Sequence, residues 1–341
     1  MTVTDPFNAA SDPALPTVAL ALDPFAVEEE FKRGLPRLGG EDGTIKVKAI
    51  TVIRHKPGRR CVIEYDVRIK RPDGARHKAK VIGKMRARRF GNEGYRLLDS
   101  IWNAGFAEKS PDGISVPEPI GVIPRFQMWF QRKVPGMEAT LKMFAPGGVA
   151  LAERIAEALH KLHRAGVPPE RRHTIDDELR ILGEHLPQVA EVRPQIKERI
   201  ERLLRGCERL AATVPEPRRC GIHRDFYPAQ VMVEARKLFL LDFDLYCEGD
   251  PALDVGNFLG HMVETSLRQT GKADALADCQ RAMIDRFAEL TGEFVRPGIT
   301  AYTTLTLVRH IYLSSQFPDR VPFTQALLEL CEERLAEHLH R

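Results

Sequence analysis

Alternating apolar and polar residues in the first part of the chain predict β-strands. In the segment 61–70, charged side chains fall on one face and apolar ones on the other, namely Cys61, Ile63, Tyr65, Val67 and Ile69. This period of two is typical of a strand with one buried face. Turn signals at 56–60 and 71–74 separate it from β-rich segments at 45–55 and 78–85. We therefore predict an antiparallel meander of three strands.

A helix and two further strands are predicted to follow the meander. Apolar residues recur at helical spacing between Asn92, which can cap a helix, and Gly105, which can end one. Strand patterns then occupy 119–123 and 126–134. The second of them leads into Pro135-Gly136, and we interpret this pair as a hinge.

After the hinge, apolar residues recur every three or four positions, which indicates amphipathic helices. The helical segments are 149–164, 181–210, 250–269, 274–290 and 324–340. One stretch differs, because the apolar runs 230–233 and 238–241 flank a polar turn. This stretch predicts a small hairpin within the helical part.

These patterns predict an α+β fold of two lobes. At 341 residues, the chain exceeds the length at which single cores are commonest. We expect a flexible arm over 1–20, which is rich in Ala, Pro, Asp and Thr, an N-lobe over 21–135 and a C-lobe over 136–341. The N-lobe would carry an antiparallel sheet plus a helix, and the C-lobe would be mainly helical with the hairpin inserted in it.

Composition narrows the class of protein. The hydrophobic fraction is 43% and the charged fraction is 29%, with no run of 18 apolar residues and no basic and apolar leader. We therefore expect a cytoplasmic protein that does not act at a membrane. The six cysteines are scattered without a CxxC pair, so neither a disulfide framework nor a structural zinc site is expected.

Charge is unevenly distributed along the chain. Up to Pro135 there are 24 Lys and Arg residues against 16 Asp and Glu, a balance of +8, and the remaining 27 against 31 give −4. A basic first lobe is compatible with a polyanion site or with nucleic-acid binding. Interleaved aromatic residues and a recognition helix are missing from this region, so no nucleic-acid partner is expected.

Candidate chemistry converges on the hairpin of the second lobe. Asp225 and Gln230 stand five residues apart before its first strand, and Asp242 and Asp244 follow its second strand. Because a hairpin brings its two ends together, Asp225, Gln230 and Asp242 should face one small volume. Carboxylate and amide oxygens in that volume suit Mg²⁺, with a hydroxyl nucleophile beside it.

Three blocks around this hairpin resemble a known family in order and spacing. The pattern His-x-Asp-x-x-x-x-Gln at 223–230 is followed after 11 residues by Asp-Phe-Asp, and then by Gly-Asp-Pro-Ala-Leu-Asp at 249–254. This arrangement is similar to the aminoglycoside phosphotransferase-like group of small-molecule kinases, whose fold is protein-kinase-like. The resemblance implies ATP and Mg²⁺ as cofactors and a small-molecule acceptor as the partner.

The resemblance also implies roles in the second lobe. Asp225 matches the family's catalytic base, which accepts or orients the proton of the attacking hydroxyl, and Asp242 matches the carboxylate that binds Mg²⁺. Gln230 stands where the family usually has Asn, and its amide oxygen would serve as a second metal ligand. A Gln at this position also resembles the maltokinase-like sugar kinases, which favours a sugar over an aminoglycoside.

In the first lobe, the family has a strand lysine that grips the α- and β-phosphates and a helix glutamate that holds the lysine. We assign these roles to Lys84 and Glu93, with Lys80 as the alternative lysine because it shares a strand face with Lys84. The turn with Arg59 and Arg60 takes the place of a glycine-rich loop, since the sequence has no Gly-x-Gly-x-x-Gly motif. These arginines would contact phosphates.

The adenine site is expected at the end of the last strand of the first lobe. The residues assigned to it are Gln131, Arg132 and Val134, and the base would bond to their backbone, which leaves little trace in a sequence. The resemblance implies ATP, whereas the sequence alone leaves ATP and GTP open.

Other polar residues near the motifs have structural interpretations. Asp250 is predicted to cap a helix, and Asp254 is predicted to order the motif loops. We expect His223 to pack the catalytic loop. Asp244 stays open between a partner of the metal site and a cap of the following turn.

The predicted function is transfer of the γ-phosphate of Mg-ATP to a hydroxyl group of a small polar metabolite: a sugar, aminosugar, amino alcohol or aminoglycoside-like compound. An aminated acceptor would require acidic residues at the site, for which Glu248, Asp250 and Glu264 are candidates. The alternative is a non-catalytic kinase-like module that binds a nucleotide or a partner, motivated by the missing glycine-rich motif and by Gln230. Oligomeric state is not readable from the sequence.

Overall fold

The computed structural model describes residues 1–40, 43–71, 73–87 and 91–339, and it divides into two compact units. Unit 1 comprises Met1–Pro135 together with Phe239–Leu241, and unit 2 comprises Gly136–Leu238 and Asp242–Arg341. Strands dominate the first unit and helices the second, which confirms the predicted α+β fold class.

Unit 1 is built on a sheet that has six strands within the described residues. The sheet order is β1-β2-β3-β4-β7-β6, and its pairs are antiparallel except for β1-β2. The predicted meander, the helix after Asn92 and the two later strands are all present. The elements in chain order are β1 (Thr2–Thr4), α1 (Val18–Ala21), α2 (Pro24–Gly34), α3 (Pro36–Gly39), β2 (Thr44–Lys56), β3 (Arg60–Lys70), β4 (Arg76–Arg86), α4 (Glu93–Ile101), β5 (Ile114–Ser115), β6 (Pro119–Ile123) and β7 (Met128–Arg132).

One face of this sheet forms the core of unit 1. The apolar residues of β3 that alternate in the sequence are all buried, because α2 covers this face. Phe31 of α2 packs edge-on against Tyr65 and Phe130, with ring centroids 5.0 and 5.2 Å apart. The sequence pattern missed α2, although Asp23 caps it by accepting hydrogen bonds from the backbone amides of its first turn.

The first 20 residues, which we expected to form a flexible arm, are folded onto this core. Strand β1 pairs with β2, and Ala9, Leu15 and Val18 are buried. The Asp5 carboxylate accepts hydrogen bonds from the amides of Ala9 and Ala10, both at 3.0 Å. The Pro and Asp residues that suggested flexibility therefore build capped turns.

Unit 2 is mainly helical and contains most of the predicted hairpin, whose strands are β10 and β11; Phe239 and Leu240 of β11 fall in unit 1. β9 pairs with β12, and β10 pairs with β8, both antiparallel. The elements in chain order are β8 (Met137–Glu138), α5 (Ala139–Met143), α6 (Gly148–His163), α7 (Ile175–Val192), α8 (Lys197–Ala211), β9 (Cys220–Ile222), β10 (Val231–Glu234), β11 (Lys237–Leu240), β12 (Cys247–Gly249), α9 (Pro251–Thr270), α10 (Ala277–Thr291), α11 (Arg296–Gln316) and α12 (Thr324–Leu339).

Two parts of unit 2 differ from the predicted helical pattern. The segment 181–210 belongs to two helices, α7 and α8, because Pro194 lacks an amide hydrogen and pushes Arg193 out of the helical region. Helix α11 was not predicted, yet it packs along α9 in the centre of the unit. Gly256 and Gly260 of α9 allow this close approach, since a Cβ at Gly256 would lie 2.5 Å from the Cβ of Tyr302.

All six cysteines are free thiols, and five of them are buried. Burial raises the pKa of Cys61, Cys207, Cys220 and Cys247 to about 12. None of the helices in the described ranges has the length and apolar composition needed to span a membrane.

Candidate active site

The loop that carries Asp225 joins β9 to β10 in unit 2. Asp225 is half-buried in a bend three residues before Pro228, the first residue of a short 3₁₀ turn, Pro228–Gln230. The preceding residue, Arg224, has a φ of 69°, in the left-handed region that side chains other than Gly rarely adopt. Such a conformation needs support from the surrounding structure.

That support comes from Asp254 in the first turn of α9. Its carboxylate accepts hydrogen bonds from the backbone amides of His223 (2.8 Å) and Arg224 (2.7 Å), and His163 Nε2 lies 2.8 Å from it. The Asp254 side chain is fully buried. The prediction that Asp254 orders the motif loops is therefore confirmed, and Asp250 caps α9 as predicted by accepting the amide of Ala252 at 2.9 Å.

The ring of His223 packs against the buried side of the loop. Its ring is fully buried, with centroids 5.3 Å from Phe226 and 4.9 Å from Phe243. The structural interpretation of His223 is confirmed, because the ring lies among aromatic side chains.

A second anchor of the loop involves residues that the sequence analysis missed. Asn257 Nδ2 donates to the carbonyl oxygen of Phe226 at 2.9 Å, and Arg309 of α11 donates to Asn257 Oδ1 at 2.5 Å. Arg309 also approaches Glu178, which bonds to His173 at 2.7 Å. Burial raises the pKa of Glu178, but the hydrogen bond from His173 and the positive charge of Arg309 outweigh it, so the pKa is lowered overall.

A sequence signal for Asn257 existed. It stands three residues after Asp254 on α9, so both side chains project from one face of the helix. No such signal existed for Arg309, because helix α11 itself was not predicted.

Gln230 ends the 3₁₀ turn and is 8% exposed. Its backbone amide donates to the carbonyl of Tyr227 at 2.8 Å, and its side-chain amide donates to the Tyr227 hydroxyl at 3.2 Å. The Tyr227 ring stacks on His261 with centroids 4.7 Å apart. Gln230 is thus fixed from both its backbone and its side chain.

Asp242 follows β11 directly after Leu241. It is half-buried and has a φ of 60°, again in the left-handed region. The strands β10 and β11 are neighbours joined by a two-residue turn. Gln230, which precedes β10, and Asp242, which follows β11, therefore stand at the same end of the hairpin. Asp244 lies in the short 3₁₀ turn that follows, and its carbonyl accepts a hydrogen bond from Arg171 at 3.0 Å.

The donor chemistry of Asp242 and Gln230 fits Mg²⁺. Both supply oxygen, and Mg²⁺ is commonly held by one or two carboxylates together with substrate phosphates rather than by a protein cage. The described ranges contain no group of three or more His, Cys, Asp or Glu side chains placed to hold a metal ion. The strained backbone at Asp242 is of the kind found at functional sites.

In unit 1, the face of the sheet opposite the core is polar. Lys80 Nζ lies 2.6 Å from one carboxylate oxygen of Glu64, and Lys133 Nζ lies 2.5 Å from the other. Burial raises the pKa of Glu64, but the hydrogen bonds from Lys133 and Lys80 outweigh it, so its pKa is below the ordinary value. Lys80 is therefore paired with a carboxylate of its own sheet.

Lys84 lies further along β4, on the same face as Lys80. Its Nζ is 5.0 Å from the ring centroid of Trp129, a cation–π distance. The first turn of α4 packs against this indole through Gly94, where a Cβ would lie 3.0 Å from Nε1. Glu93, the first residue of α4, is exposed.

The remaining assigned residues lie at two places in unit 1. Arg59 is exposed and Arg60 half-buried at the turn between β2 and β3. Gln131 is 8% exposed in β7, and Arg132 ends the strand. The backbone amides of Arg132 and Lys133 already donate to carbonyl groups at 2.9 Å, whereas the half-buried Val134 lies just beyond the strand.

Two of the three acidic residues considered for an aminated acceptor bond to other groups of unit 2. Glu264 is 4% exposed and lies 3.1 Å from Arg268 and 4.0 Å from Arg320. Asp250 caps α9 and is buried, and burial raises its pKa. Glu248 is part of β12.

Comparison with known families supports the motif analysis. Residues 95–290, more than half of the chain, match the family model described as "Phosphotransferase enzyme family" (APH). This match confirms the resemblance identified from the sequence. Among curated proteins, no sequence matches the chain.

Solved structures share the fold. An amicoumacin kinase, hAmiN, in complex with AMP-PNP, Ca²⁺ and Ami aligns with a TM-score of 0.57 and 15% identity, over 84% of this chain and 88% of that one. Choline kinase from Cryptosporidium parvum Iowa II gives 0.55 and 13%, over 93% and 95%. A thermostable mutant of aminoglycoside phosphotransferase APH(4)-Ia gives 0.54 and 17%, over 86% and 95%. These likenesses confirm the predicted protein-kinase-like fold.

Proposed function

We propose a reaction for this chain from one premise: the chain belongs to the phosphotransferase enzyme family. It is a small-molecule phosphotransferase, and we propose that it transfers the γ-phosphate of ATP to a hydroxyl group of a small polar metabolite. The observation that carries the proposal is the strained loop before Asp225, whose two amides are held by the buried carboxylate of Asp254. Such preorganisation is the main means by which a protein can speed phosphoryl transfer.

Asp225 is proposed as the catalytic base. The transition state of phosphoryl transfer is loose, so the carboxylate orients the acceptor hydroxyl and receives its proton late. Half-burial suits this role, because the group can meet a substrate and still be held by its loop. Asn257 fixes the carbonyl of the next residue, Phe226, and limits rotation of the loop.

Asp242 and Gln230 are proposed to hold Mg²⁺ through their side-chain oxygens. When bound, the ion would neutralise charge on the phosphate oxygens of the nucleotide. The contact of Gln230 with Tyr227 and the left-handed backbone of Asp242 restrict both side chains before any ligand arrives. Gln in place of the usual Asn places the amide oxygen one methylene further from the backbone.

In unit 1 we propose that Lys84 contacts the α- and β-phosphates of ATP. Lys84 is half-buried within the apolar part of β4, whereas Lys80 is exposed, which supports Lys84 over Lys80. Arg59 and Arg60 are proposed as further phosphate contacts, and Glu93 as the partner of Lys84 once a nucleotide is bound. The solved relatives include structures with ADP and with AMP-PNP, which supports adenine nucleotides as the donor.

The adenine ring is proposed to bond to the backbone of the segment from Gln131 to Val134. The amides of Arg132 and Lys133 are committed to backbone carbonyls, so the Val134 amide is the donor we propose for the base.

For the acceptor, we propose a sugar or another polyol rather than an aminated compound. The carboxylates of Glu264 and Asp250 are occupied by arginines and by a helix cap, so they are poor partners for an ammonium group. The Gln at position 230, which resembles maltokinase-like sugar kinases, agrees with this proposal.

The test is ADP release with Mg-ATP against separate pools of sugars, aminosugars, amino alcohols and aminoglycosides. We expect a signal from the sugar pool, and Asp225→Asn should lower kcat by about 10²–10⁴-fold while nucleotide binding persists. Asp274→Asn, an exposed site of the same unit, is the matched control and should keep full activity. If an Asp225→Asn sample free of deamidation turned over as fast as the parent protein, Asp225 would be ruled out as the base.

Thermal stabilisation by nucleotide separates the alternatives. We expect Mg-ATP to raise the Tm of the parent protein, and Asp242→Ala to lose the Mg-dependent part of the shift. No activity with any pool, together with no Mg-dependent shift, would instead favour the non-catalytic kinase-like module.

A further inference from the structure

The turn between β2 and β3 is held by the N-terminal segment. Asp12 Oδ2 accepts a hydrogen bond from the backbone amide of Gly58 at 2.8 Å and lies 2.8 Å from His55 Nε2. Its other oxygen accepts the amide of Ala14 at 2.9 Å. The side chains of Asp12 and His55 are each only 6% exposed. Both oxygens of this shielded carboxylate are therefore engaged.

The charge of Asp12 strengthens these bonds. The hydrogen bond from Gly58 is the largest of several contributions that lower the pKa of Asp12, followed by the bond to His55. The group is thus ionised at neutral pH, and hydrogen bonds to a charged acceptor are stronger than those between neutral groups.

Asp12 is itself fixed in place. The segment around it is anchored by the buried residues Ala9 and Leu15 and by Thr17, whose hydroxyl donates to the carbonyl of Phe126 at 2.8 Å. A rigid carboxylate that binds a turn through its peptide amide restrains the turn as a whole. Nothing lies within 4 Å of the position of a Cβ at Gly58, so the turn is open on that side. Besides the bond to Asp12, the Arg59 amide donates to the Lys56 carbonyl at 3.0 Å, and the Ala87 amide donates to the Arg59 carbonyl at 2.9 Å.

We infer that Asp12 is a positioning residue for the phosphate-binding turn, an inference that rests on the proposed function. Its bond to Gly58 takes up the amide that a glycine-rich loop would offer to a phosphate, so phosphate recognition at this turn falls to the side chains of Arg59 and Arg60. Restraint of the turn at Gly58 holds these arginines in place before the nucleotide arrives, and preorganisation of this kind raises affinity by reducing the ordering cost.

The test compares the Kd of Mg-ATP with the Kd of adenosine, which lacks phosphates. Asp12→Ala should weaken Mg-ATP binding about tenfold, which corresponds to the loss of one charge-assisted hydrogen bond, and leave adenosine unchanged. Asp12→Asn keeps an acceptor oxygen and should recover most of the affinity. In Asp12→Ala, the KM for ATP should rise, with little change in kcat at saturating ATP.

Asp23→Ala is the matched control. Asp23 also accepts two backbone amides in unit 1, from Phe25 and Ala26, but it does not touch the turn. It should lower Tm as Asp12→Ala does and leave the ratio of the two Kd values unchanged.

Three results would overturn the inference. Equal weakening of Mg-ATP and adenosine by Asp12→Ala would indicate general destabilisation, and tighter Mg-ATP binding in both Asp12 variants would show that the carboxylate merely repels phosphate. If Asp12→Ala does not fold, His55→Ala takes its place, because His55 bonds to the same oxygen of Asp12, and an unaltered Kd ratio in His55→Ala would overturn the inference. A parent protein that binds Mg-ATP no better than adenosine would contradict the proposed function itself.

Discussion

At the residue scale, the buried His310 sets how unit 2 responds to acid. His261 and His310 lie with ring centroids 4.5 Å apart, and within the described residues His310 Nε2 is buried without a hydrogen-bond partner. Burial, followed by the positive charges of Arg309, Arg320 and Arg268, lowers the pKa of His310 to about 3. The ring is therefore neutral in the folded protein throughout the physiological range.

Acid should destabilise the protein through His310. Its pKa is about 3 when folded, against an ordinary value of 6.5, so between these values the unfolded chain binds a proton that the folded chain does not. The free energy of unfolding therefore falls as the pH drops through 6.5, by about 1.4 kcal/mol per pH unit. His310→Leu should reduce the loss between pH 7.5 and 5.0 by about 2 kcal/mol in urea unfolding.

The partly exposed His77 of β4 provides the control for this measurement. His77→Leu should leave the pH dependence as in the parent protein. A His310→Leu variant with the parental pH dependence would contradict the prediction.

At this scale, the sequence identified the motif residues but not what holds them. Asp254, Asp250 and His223 could be interpreted correctly because a helix cap and a buried motif acid have local signatures. The bond from Arg309 to Asn257 could not be predicted, because it joins residues 52 positions apart on two helices. The roles of Asp225, Gln230 and Asp242 remain predictions that the proposed assays test.

At the scale of elements, the packing of α9 on α11 is set by glycines. A Cβ at Gly256 would lie 2.5 Å from the Cβ of Tyr302 and 2.8 Å from the amide of Thr303, and one at Gly260 would lie 2.6 Å from Thr306 Cγ2. The two helices can approach this closely only because these positions carry no side chain. Asn257 and Arg309, which hold the loop that carries Asp225, belong to the same pair of helices.

Gly256→Ala should therefore destabilise the protein by about 2–3 kcal/mol, since overpacking a core typically costs this much. Gly183→Ala is the opposite control: Gly183 is exposed within α7 with nothing near its Cβ position, so Ala should stabilise the protein by about 1 kcal/mol. Urea unfolding of both variants checks the pair. Equal effects of the two substitutions would contradict the close packing of α9 on α11.

Elements with a clear period were predictable, and those without one were not. The alternation in β3 revealed its buried face, whereas α11 is buried around most of its circumference and has no apolar stripe. Its threonines are accommodated because their hydroxyls bond to carbonyls one turn back, as Thr303 does to Ile299 at 2.7 Å. A sequence without an apolar stripe does not predict a helix by its periodicity.

At the scale of the whole molecule, the family match ends along the chain before the fold of unit 2 does. The matched residues stop at 290, and α11 and α12 follow. Helix α11 nevertheless lies at the centre of unit 2, with Ile299, Leu305 and Ile311 at most 1% exposed. The C-terminal helices therefore belong to the core that supports the loop that carries Asp225.

A chain that ends at Val295 should lose the fold of unit 2 and keep that of unit 1. Both tryptophans, Trp102 and Trp129, are in unit 1, so fluorescence reports on that unit while helical circular dichroism reports mainly on unit 2. We expect a cooperative fluorescence transition in urea together with a loss of helical signal beyond the deleted residues. A chain that ends at Glu337 is the control. A loss of helical signal that matches the number of deleted helical residues in both truncations would contradict the prediction.

The buried cysteines make the protein a convenient background for site-specific labelling. Maleimides react with thiolates, and burial raises the pKa of Cys61 and Cys220 to about 12, so these thiols are mainly protonated at pH 7. A cysteine introduced at an exposed position in each unit would therefore take up a dye while the native thiols stay unmodified. Energy transfer between two such dyes could then follow ligand binding in the otherwise native protein, with no native cysteine replaced.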